Sequence, residues 1–80
     1  MSTLTLDELE PGESAIVRNV NAKGPSRRRI AEMGLCAGAE VTAVRRAPLN
    51  DPIEIMVRGY NLSLRKAEAV NILVERKEAR

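Results

Sequence analysis

Two short runs of alternating apolar and polar residues, separated by Gly59, constrain the fold of this chain more than any other sequence feature. The first run has apolar residues at positions 53, 55 and 57, and the second has them at 60, 62 and 64. Successive side chains of a strand point to opposite faces, so each run is typical of a half-buried strand. The glycine between them suits a tight turn, and the pattern predicts a β-hairpin.

The other apolar runs predict three more strands, at 13–20, 39–46 and 70–74, which brings the count to about five. The first of these does not alternate cleanly, and this favours a bulge or a strong bend. Short antiparallel strands with few residues between them close most easily into a small β-barrel. We therefore predict a mostly β fold in a single domain spanning residues 1–80, with an ordered core from about 4 to 75.

One short helix and two single helical turns complete the predicted fold. Pro25 suits the first helical position, where its missing N–H costs nothing, and Gly34 suits the left-handed residue that closes a helix. A single turn near the start of the chain, capped by Thr5, should bring the leucines at 4, 6 and 9 to one end of the core. A second single turn is expected at Lys66–Ala69.

The composition excludes several kinds of chemistry. The chain has no histidine, so it lacks the usual general base near neutral pH and the commonest metal ligand. Cys36 is the single cysteine, and neither an intramolecular disulfide nor a closed Cys/His zinc site can be built from one chain. No phosphate-binding loop and no nucleophile–base pair is visible. We expect no enzyme activity and no resident cofactor.

The charge balance and the hydropathy limit which partners this protein can bind and where in the cell we expect it. Thirteen basic and 11 acidic residues give a net charge of +2, a mild excess, and the chain has a single aromatic residue, Tyr60. Binding of single-stranded nucleic acid favours aromatic platforms and strong positive charge, so no nucleic-acid partner is expected. No apolar run approaches the roughly 20 residues that span a bilayer. A domain without disulfides fits a reducing compartment, and we predict a cytoplasmic protein without direct membrane insertion.

Three consecutive arginines, Arg27 to Arg29, fall within the first turn or so of the predicted helix, where the helix dipole is already positive. Glu32 is spaced to pair with Arg28 and Arg29, but one carboxylate cannot neutralise three guanidinium groups. Two interpretations stay open. The run is either a solvated face whose arginine stems cover apolar surface, or a site that binds an anion or an acidic partner.

The residues after the arginines also have two interpretations each. Met33 to Leu35 suit core packing and a helix stop, while the alternative is an apolar contact patch that includes Leu35. Cys36 suits a small, partly buried residue, while the alternative is a metal site shared between two chains. We expect Tyr60 to pack on the hairpin with its hydroxyl in water.

Several motifs, taken in order, resemble the FeoA family over Leu6 to Val74, and each is weak alone. They are Leu6-x-x-Leu9-x-Pro-Gly12, Arg28-Arg-Ile-Ala-Glu-Met-Gly-Leu35, Asp51-Pro-Ile53, Val57-x-Gly59-Tyr60 and Leu62-Ser-Leu-Arg-Lys-x-Glu-Ala69. The resemblance implies an SH3-like β-barrel. It also implies a non-enzymatic cytoplasmic accessory protein that binds and modulates FeoB, the GTPase-linked membrane transporter of ferrous iron.

A related fold forms the C-terminal domain of repressors of the diphtheria toxin repressor type, so the alternative function is a metal-binding regulatory domain. No DNA-binding region precedes the motifs, which favours the accessory protein. Weak binding of Fe²⁺ or Zn²⁺ and self-association stay open, as does thiol chemistry at Cys36, where many relatives carry a small or hydroxyl residue. The residues predicted to contact a partner are Arg27, Arg28, Arg29, Met33, Gly34, Leu35 and Cys36.

Overall fold

The structure, a computed structural model, describes residues 3–46, 48–49 and 51–77. Six antiparallel strands form one sheet in this part of the chain, in the order β1-β6-β2-β3-β4-β5. They are β1 (Thr3–Thr5), β2 (Ser14–Val20), β3 (Glu40–Arg46), β4 (Ile53–Val57), β5 (Tyr60–Leu64) and β6 (Ile72–Arg76). The mostly β prediction is confirmed, and the strand count exceeds the predicted five by β1.

The sheet coils without closing, since no backbone ladder joins β1 to β5 among the described residues. The predicted irregularity in the first long strand is confirmed: the register of β2 against β6 shifts between Val17 and Asn19. A second shift interrupts the β3–β4 ladder between Ala43 and Arg45. Bulges increase local twist and bend a strand, so these two shifts help seven-residue strands curve around a small core. The predicted domain limits at residues 1 and 80 lie outside the described residues.

The core is aliphatic, and no polar or charged residue is buried in the described part of the chain. Leu6 begins a single 3₁₀ turn (Leu6–Glu8) and Leu9 follows it, and both are fully buried, as predicted. Leu4, predicted with them, is partly buried and packs against the core. The backbone N–H of Thr5 donates to the Glu8 carboxylate at 3.0 Å, which fixes the start of the turn. At the edge of the sheet β1 pairs with β6, and Thr3 lies opposite Glu75.

Two helices connect the strands. α1 (Gly24–Glu32) joins β2 to β3, and α2 (Lys66–Ala69) joins β5 to β6. Among the described residues, no helix is both long enough and apolar enough to cross a membrane. α1 begins at Gly24, one residue before Pro25, where the sequence predicted its start. Lys23, the residue before the helix, has an extended backbone.

The end of α1 has the geometry of a Schellman motif. Gly34 has φ +92° and its N–H donates to Ala31 O at 2.9 Å, while the N–H of Leu35 donates to Ile30 O at 3.3 Å. The side chains of Ile30 and Leu35 are both fully buried in the same core cluster, and they occupy the two positions whose apolar contact accompanies this motif. The prediction that Gly34 closes the helix is confirmed.

The predicted hairpin is also confirmed. β4 and β5 pair from Ile53 opposite Leu64 to Val57 opposite Tyr60, and two residues connect them. Arg58 and Gly59 both have positive φ, at 53° and 86°, as a type I′ turn requires. Arg58 is the one non-glycine residue with positive φ among the described residues.

Candidate partner-binding site

The arginine run divides into two tied residues and one free residue. The Nη1 atom of Arg27 donates to the carbonyl of Val20 at 2.5 Å, which holds α1 against the end of β2. Arg29 forms an ion pair with Glu68 of α2. Arg28 is exposed, and within the described residues its side chain makes neither an ion pair nor a hydrogen bond. Of the three positive charges, that of Arg29 is paired with a carboxylate, while the hydrogen bond of Arg27 to a carbonyl leaves its charge unneutralised.

The predicted electrostatics of the run need two corrections. Because α1 begins at Gly24, the arginines are the fourth to sixth of its nine residues, and they lie beyond its positive first turn. Arg29 pairs with Glu68 rather than Glu32, since the Glu68 side chain is only 13% exposed and a carboxylate removed from water needs a charged partner. The run therefore opposes the helix dipole less than its sequence position suggests.

Tyr60, the first residue of β5, satisfies the end of α1. Its hydroxyl donates to the carbonyl of Met33 at 2.8 Å. The last carbonyls of a helix have no partner within the helix, so a donor supplied by the hairpin fills one of these vacancies. The sequence did not predict this acceptor, which the hydroxyl reaches because the β4–β5 turn lies against the helix end; Tyr60 itself is 48% exposed.

Gly34 makes this close approach compatible with the backbone. A Cβ at this position would lie 3.4 Å from the Nε atom of Arg58 and 3.4 Å from the hydroxyl oxygen of Tyr60. Both distances are those of ordinary van der Waals contact, so the positive φ, which glycine adopts without steric cost, is what calls for glycine here. The role of Gly34 that the structure shows is therefore to end the helix beside the hairpin.

Leu35 has the buried environment of its core-packing interpretation, whereas Cys36 does not have the partly buried environment predicted for it. Leu35 is fully buried, which excludes the alternative in which its side chain forms an exposed contact patch. Cys36 is exposed rather than partly buried. The left-handed Gly34 turns the chain so that Leu35 enters the core and Cys36 follows it to the surface. Met33 is half-buried and packs against the core.

Arg58 belongs to the same surface, and sequence reasoning missed it. Its Nη2 atom lies 3.8 Å from the sulfur of Cys36, a weak acceptor, and no carboxylate pairs with it in the described part of the chain. Its stem lies beside Gly34 at the C-terminal end of α1, where the helix dipole favours positive charge. The sequence contained one signal that could have identified Arg58: it is an arginine in the predicted hairpin turn, at a position that requires positive φ.

Two grooves flank the segment 34–39. The larger, of about 450 Å³, is called here the turn groove; it is lined by Gly38, Ala39, Glu40, Thr42, Met56, Arg58 and Gly59. The smaller, of about 110 Å³, lies between α1 and the end of β2 and includes Arg27, Leu35 and Cys36 in its lining. Across the described ranges, no group of three His, Cys, Asp or Glu side chains is placed to hold a metal ion. The surface around the end of α1 is cationic, because Arg28 and Arg58 are exposed and have no carboxylate partner in the described part of the chain.

Comparison with known proteins finds one family model, described as the FeoA domain, which matches residues 4–76. A curated relative from Porphyromonas gingivalis is named as a fusion of Fe(2+) transport protein A and the Fe(2+) transporter FeoB. It is 42% identical over 72 residues, a match that covers 90% of this chain. The chain spans only 8% of the length of that relative.

Two solved structures relate the fold to known proteins. The crystal structure of Stenotrophomonas maltophilia FeoA complexed with zinc, described as a procaryotic SH3 domain protein, is 33% identical with a TM-score of 0.79. The match covers 90% of this chain and 89% of that one. A manganese-dependent transcriptional repressor has a TM-score of 0.85 at 17% identity over 94% of this chain and 42% of its own, a likeness of fold alone. The predicted SH3-like fold is confirmed, as is its likeness in fold to such a repressor.

Proposed function

The chain belongs to the FeoA family, which is associated with ferrous iron transport, and we propose that it binds the cytoplasmic part of a FeoB-type transporter. In this proposal it is a non-enzymatic cytoplasmic protein. Its contact with the transporter modulates iron transport or GTP hydrolysis. Ferrous iron is then the cargo of the partner rather than a resident cofactor of this chain.

The Porphyromonas gingivalis fusion protein is the observation that carries this proposal. One polypeptide there is named for both the FeoA-type protein and the transporter, and its similarity to this chain covers 90% of the sequence. Covalent linkage keeps two modules at a high effective concentration, which suits modules that act on each other. The proposal extends that association to a contact between separate chains.

The surface around the end of α1 supports a contact that is electrostatic in part. Arg28 and Arg58 are exposed cations with no carboxylate partner in the described part of the chain, and both lie on or beside α1. Unpaired charges at a rim accelerate association with a surface of opposite sign and make the affinity depend on ionic strength. We propose an acidic surface on the cytoplasmic part of the transporter as the docking partner.

Calorimetric titration of this chain against the purified cytoplasmic domain of the FeoB-type transporter from the same organism tests the proposal. The titration is run with and without guanine nucleotide. Saturable binding that weakens as NaCl is raised supports it, and Arg28→Glu should lower the affinity about tenfold. Lys66→Glu is the matched control, because it makes the same charge change at an exposed residue of α2. No binding at low salt in either nucleotide state would remove the proposal.

The second candidate function is a metal-binding regulatory domain, and the zinc complex of the Stenotrophomonas maltophilia relative favours it. Since the described residues contain no three-ligand cluster, we propose that any Fe²⁺ or Zn²⁺ binding is weak and involves ligands from two chains. A ligand that binds only the folded state raises its stability. A rise in the unfolding midpoint with micromolar metal, together with dimer formation, would favour this function over the first.

A further inference from the structure

We propose that the turn groove binds an extended acidic segment of the partner, in which a carboxylate side chain neighbours an apolar one. Arg58 binds the carboxylate and Met56 packs against the apolar side chain. This inference rests on the proposed function and names the mode of contact. The groove would be a second binding element beside Arg28, on a part of the surface that α1 does not form.

The first support is that the carboxylate lining the groove has a cationic partner, whereas the guanidinium lining it has no carboxylate partner in the described part of the chain. Glu40, its one acidic lining residue, is already paired: its Oε2 atom lies 3.1 Å from the Nζ atom of Lys77. The Arg58 guanidinium has five N–H donors, and its contact with Cys36 occupies one of them with a weak sulfur acceptor. The remaining donors can form a two-point interaction with a carboxylate, the strongest pairing that arginine makes.

The second support is an exposed apolar side chain next to that charge. Met56 is 42% exposed, and its cross-strand neighbours in the sheet are polar, Thr42 on one side and Asn61 on the other. An unbranched thioether adapts its shape to irregular partners, which is why methionine is frequent at binding surfaces. A partner that supplied only carboxylates would leave Met56 without a complementary contact.

The shape of the groove favours a peptide over a small ligand. Its volume of about 450 Å³ is within the range of ligand sites, roughly 300–1,000 Å³. Gly38 and Gly59 lie on its surface, and a Cβ built at either would meet nothing within 4 Å. No side chain covers the groove at these two positions. A small ligand would keep much of its surface in water there, whereas an extended chain can lie across the groove and add contacts at both ends.

A further support is that Arg58 is partly ordered before any partner arrives. Its Nη2 atom lies 3.8 Å from the sulfur of Cys36, and its stem lies beside the backbone of Gly34. The type I′ turn fixes its backbone at positive φ. An arginine that is partly ordered loses less conformational entropy when it binds a carboxylate than one that projects freely into water.

The test compares variants in the titration against the transporter's cytoplasmic domain. Arg58→Asn removes the charge and keeps a residue that tolerates positive φ, while Met56→Gln replaces the thioether by an amide of similar length. We expect Arg58→Asn to lower the affinity about tenfold to a hundredfold and Met56→Gln several-fold. Lys66→Gln, the matched control, should change it less than twofold. Wild-type affinity in both groove variants, while Arg28→Glu still weakens binding, would overturn the groove and leave the proposed function standing.

A peptide titration that does not involve the transporter separates the groove proposal from the proposed function. A blocked synthetic peptide of alternating Asp and Leu residues is titrated into the ¹⁵N-labelled protein, beside a control peptide of Asn and Leu. The groove proposal expects shifts at the amides of Gly38 and Gly59 and at the side-chain N–H of Arg58 with the acidic peptide alone. Shifts that are absent, or equal for both peptides, overturn it. Groove shifts without transporter binding would support the groove and reject the proposed partner.

Discussion

The hydroxyl of Tyr60 and the carbonyl of Met33, 27 residues apart in sequence, are joined by a hydrogen bond of 2.8 Å. This bond links the β4–β5 hairpin to the end of α1. It also brings the two sides of the candidate surface together, because Arg58 precedes Tyr60 by two residues and Gly34 follows Met33. The packing of the hairpin against the helix thus determines where the cations of this surface lie.

The change Tyr60→Phe should lower the free energy of unfolding by about 0.5–1 kcal/mol, since a hydrogen bond between neutral groups contributes roughly 0.5–1.5 kcal/mol and this tyrosine is 48% exposed. Water can replace part of the lost bond, which favours the lower half of that range. Urea denaturation measures the effect. Ser63→Ala removes an exposed hydroxyl of the same strand that has no partner among the described residues, and it should leave stability nearly unchanged. Equal effects in the two variants would contradict a specific helix–hairpin bond.

The change Gly34→Ala should destabilise the fold by about 1–2 kcal/mol, because its φ of +92° lies in the left-handed region that L-residues avoid. Gly34→Asn introduces the same Cβ but is tolerated better at positive φ, so its loss should be smaller. The difference in unfolding midpoint between the two variants therefore measures the cost of backbone strain. If Asn costs as much as Ala, the cause is contact with Arg58 and Tyr60 instead.

The change Leu35→Ala should cost about 2–5 kcal/mol, the usual loss when a fully buried leucine is truncated. For a domain of this size that is a large part of the total stability. Leu49→Ala is the matched control, because Leu49 is 86% exposed and its truncation should change stability by less than about 0.5 kcal/mol. Thermal unfolding distinguishes the two. If Leu35→Ala left the stability nearly unchanged, the result would contradict the burial of Leu35 and favour the alternative of an exposed contact patch.

The change Arg29→Gln should lower stability by about 0.5–1 kcal/mol at low salt, because it leaves the partly buried Glu68 carboxylate without its cation. Arg28→Gln, one residue earlier, should change stability little. Both changes remove one positive charge from the exposed helix, so their comparison isolates the ion pair. Raising NaCl should reduce the difference, since the guanidinium is 57% exposed and salt screens the pair. A difference that does not respond to salt would argue for packing instead.

Local patterns in the sequence predicted the features that depend on few neighbouring residues. Gly59 between two alternating runs indicated the hairpin, and Gly34 indicated the end of α1, because each glycine has a conformational role that its neighbours reveal. The strand β1 was missed since three residues are too short to show an alternating period.

The site was less predictable, because it depends on contacts between distant segments. Arg28 was identified among three equivalent arginines only after the structure showed Arg27 tied to Val20 and Arg29 to Glu68. Arg58 and Cys36 are 22 residues apart, and no local pattern brings a hairpin turn to a helix end. Sequence could suggest a cationic helix, but the fold decides which of its charges are already neutralised.

The pairing of β1 with β6 has a consequence for the topology of the chain. With Thr3 opposite Glu75, the start of β1 and the end of β6 lie side by side in neighbouring strands. A short linker could join them, and the chain could be opened in an exposed loop instead, which is the arrangement that tolerates circular permutation. The same proximity means that a module attached before β1 and one attached after β6 would emerge from the domain side by side.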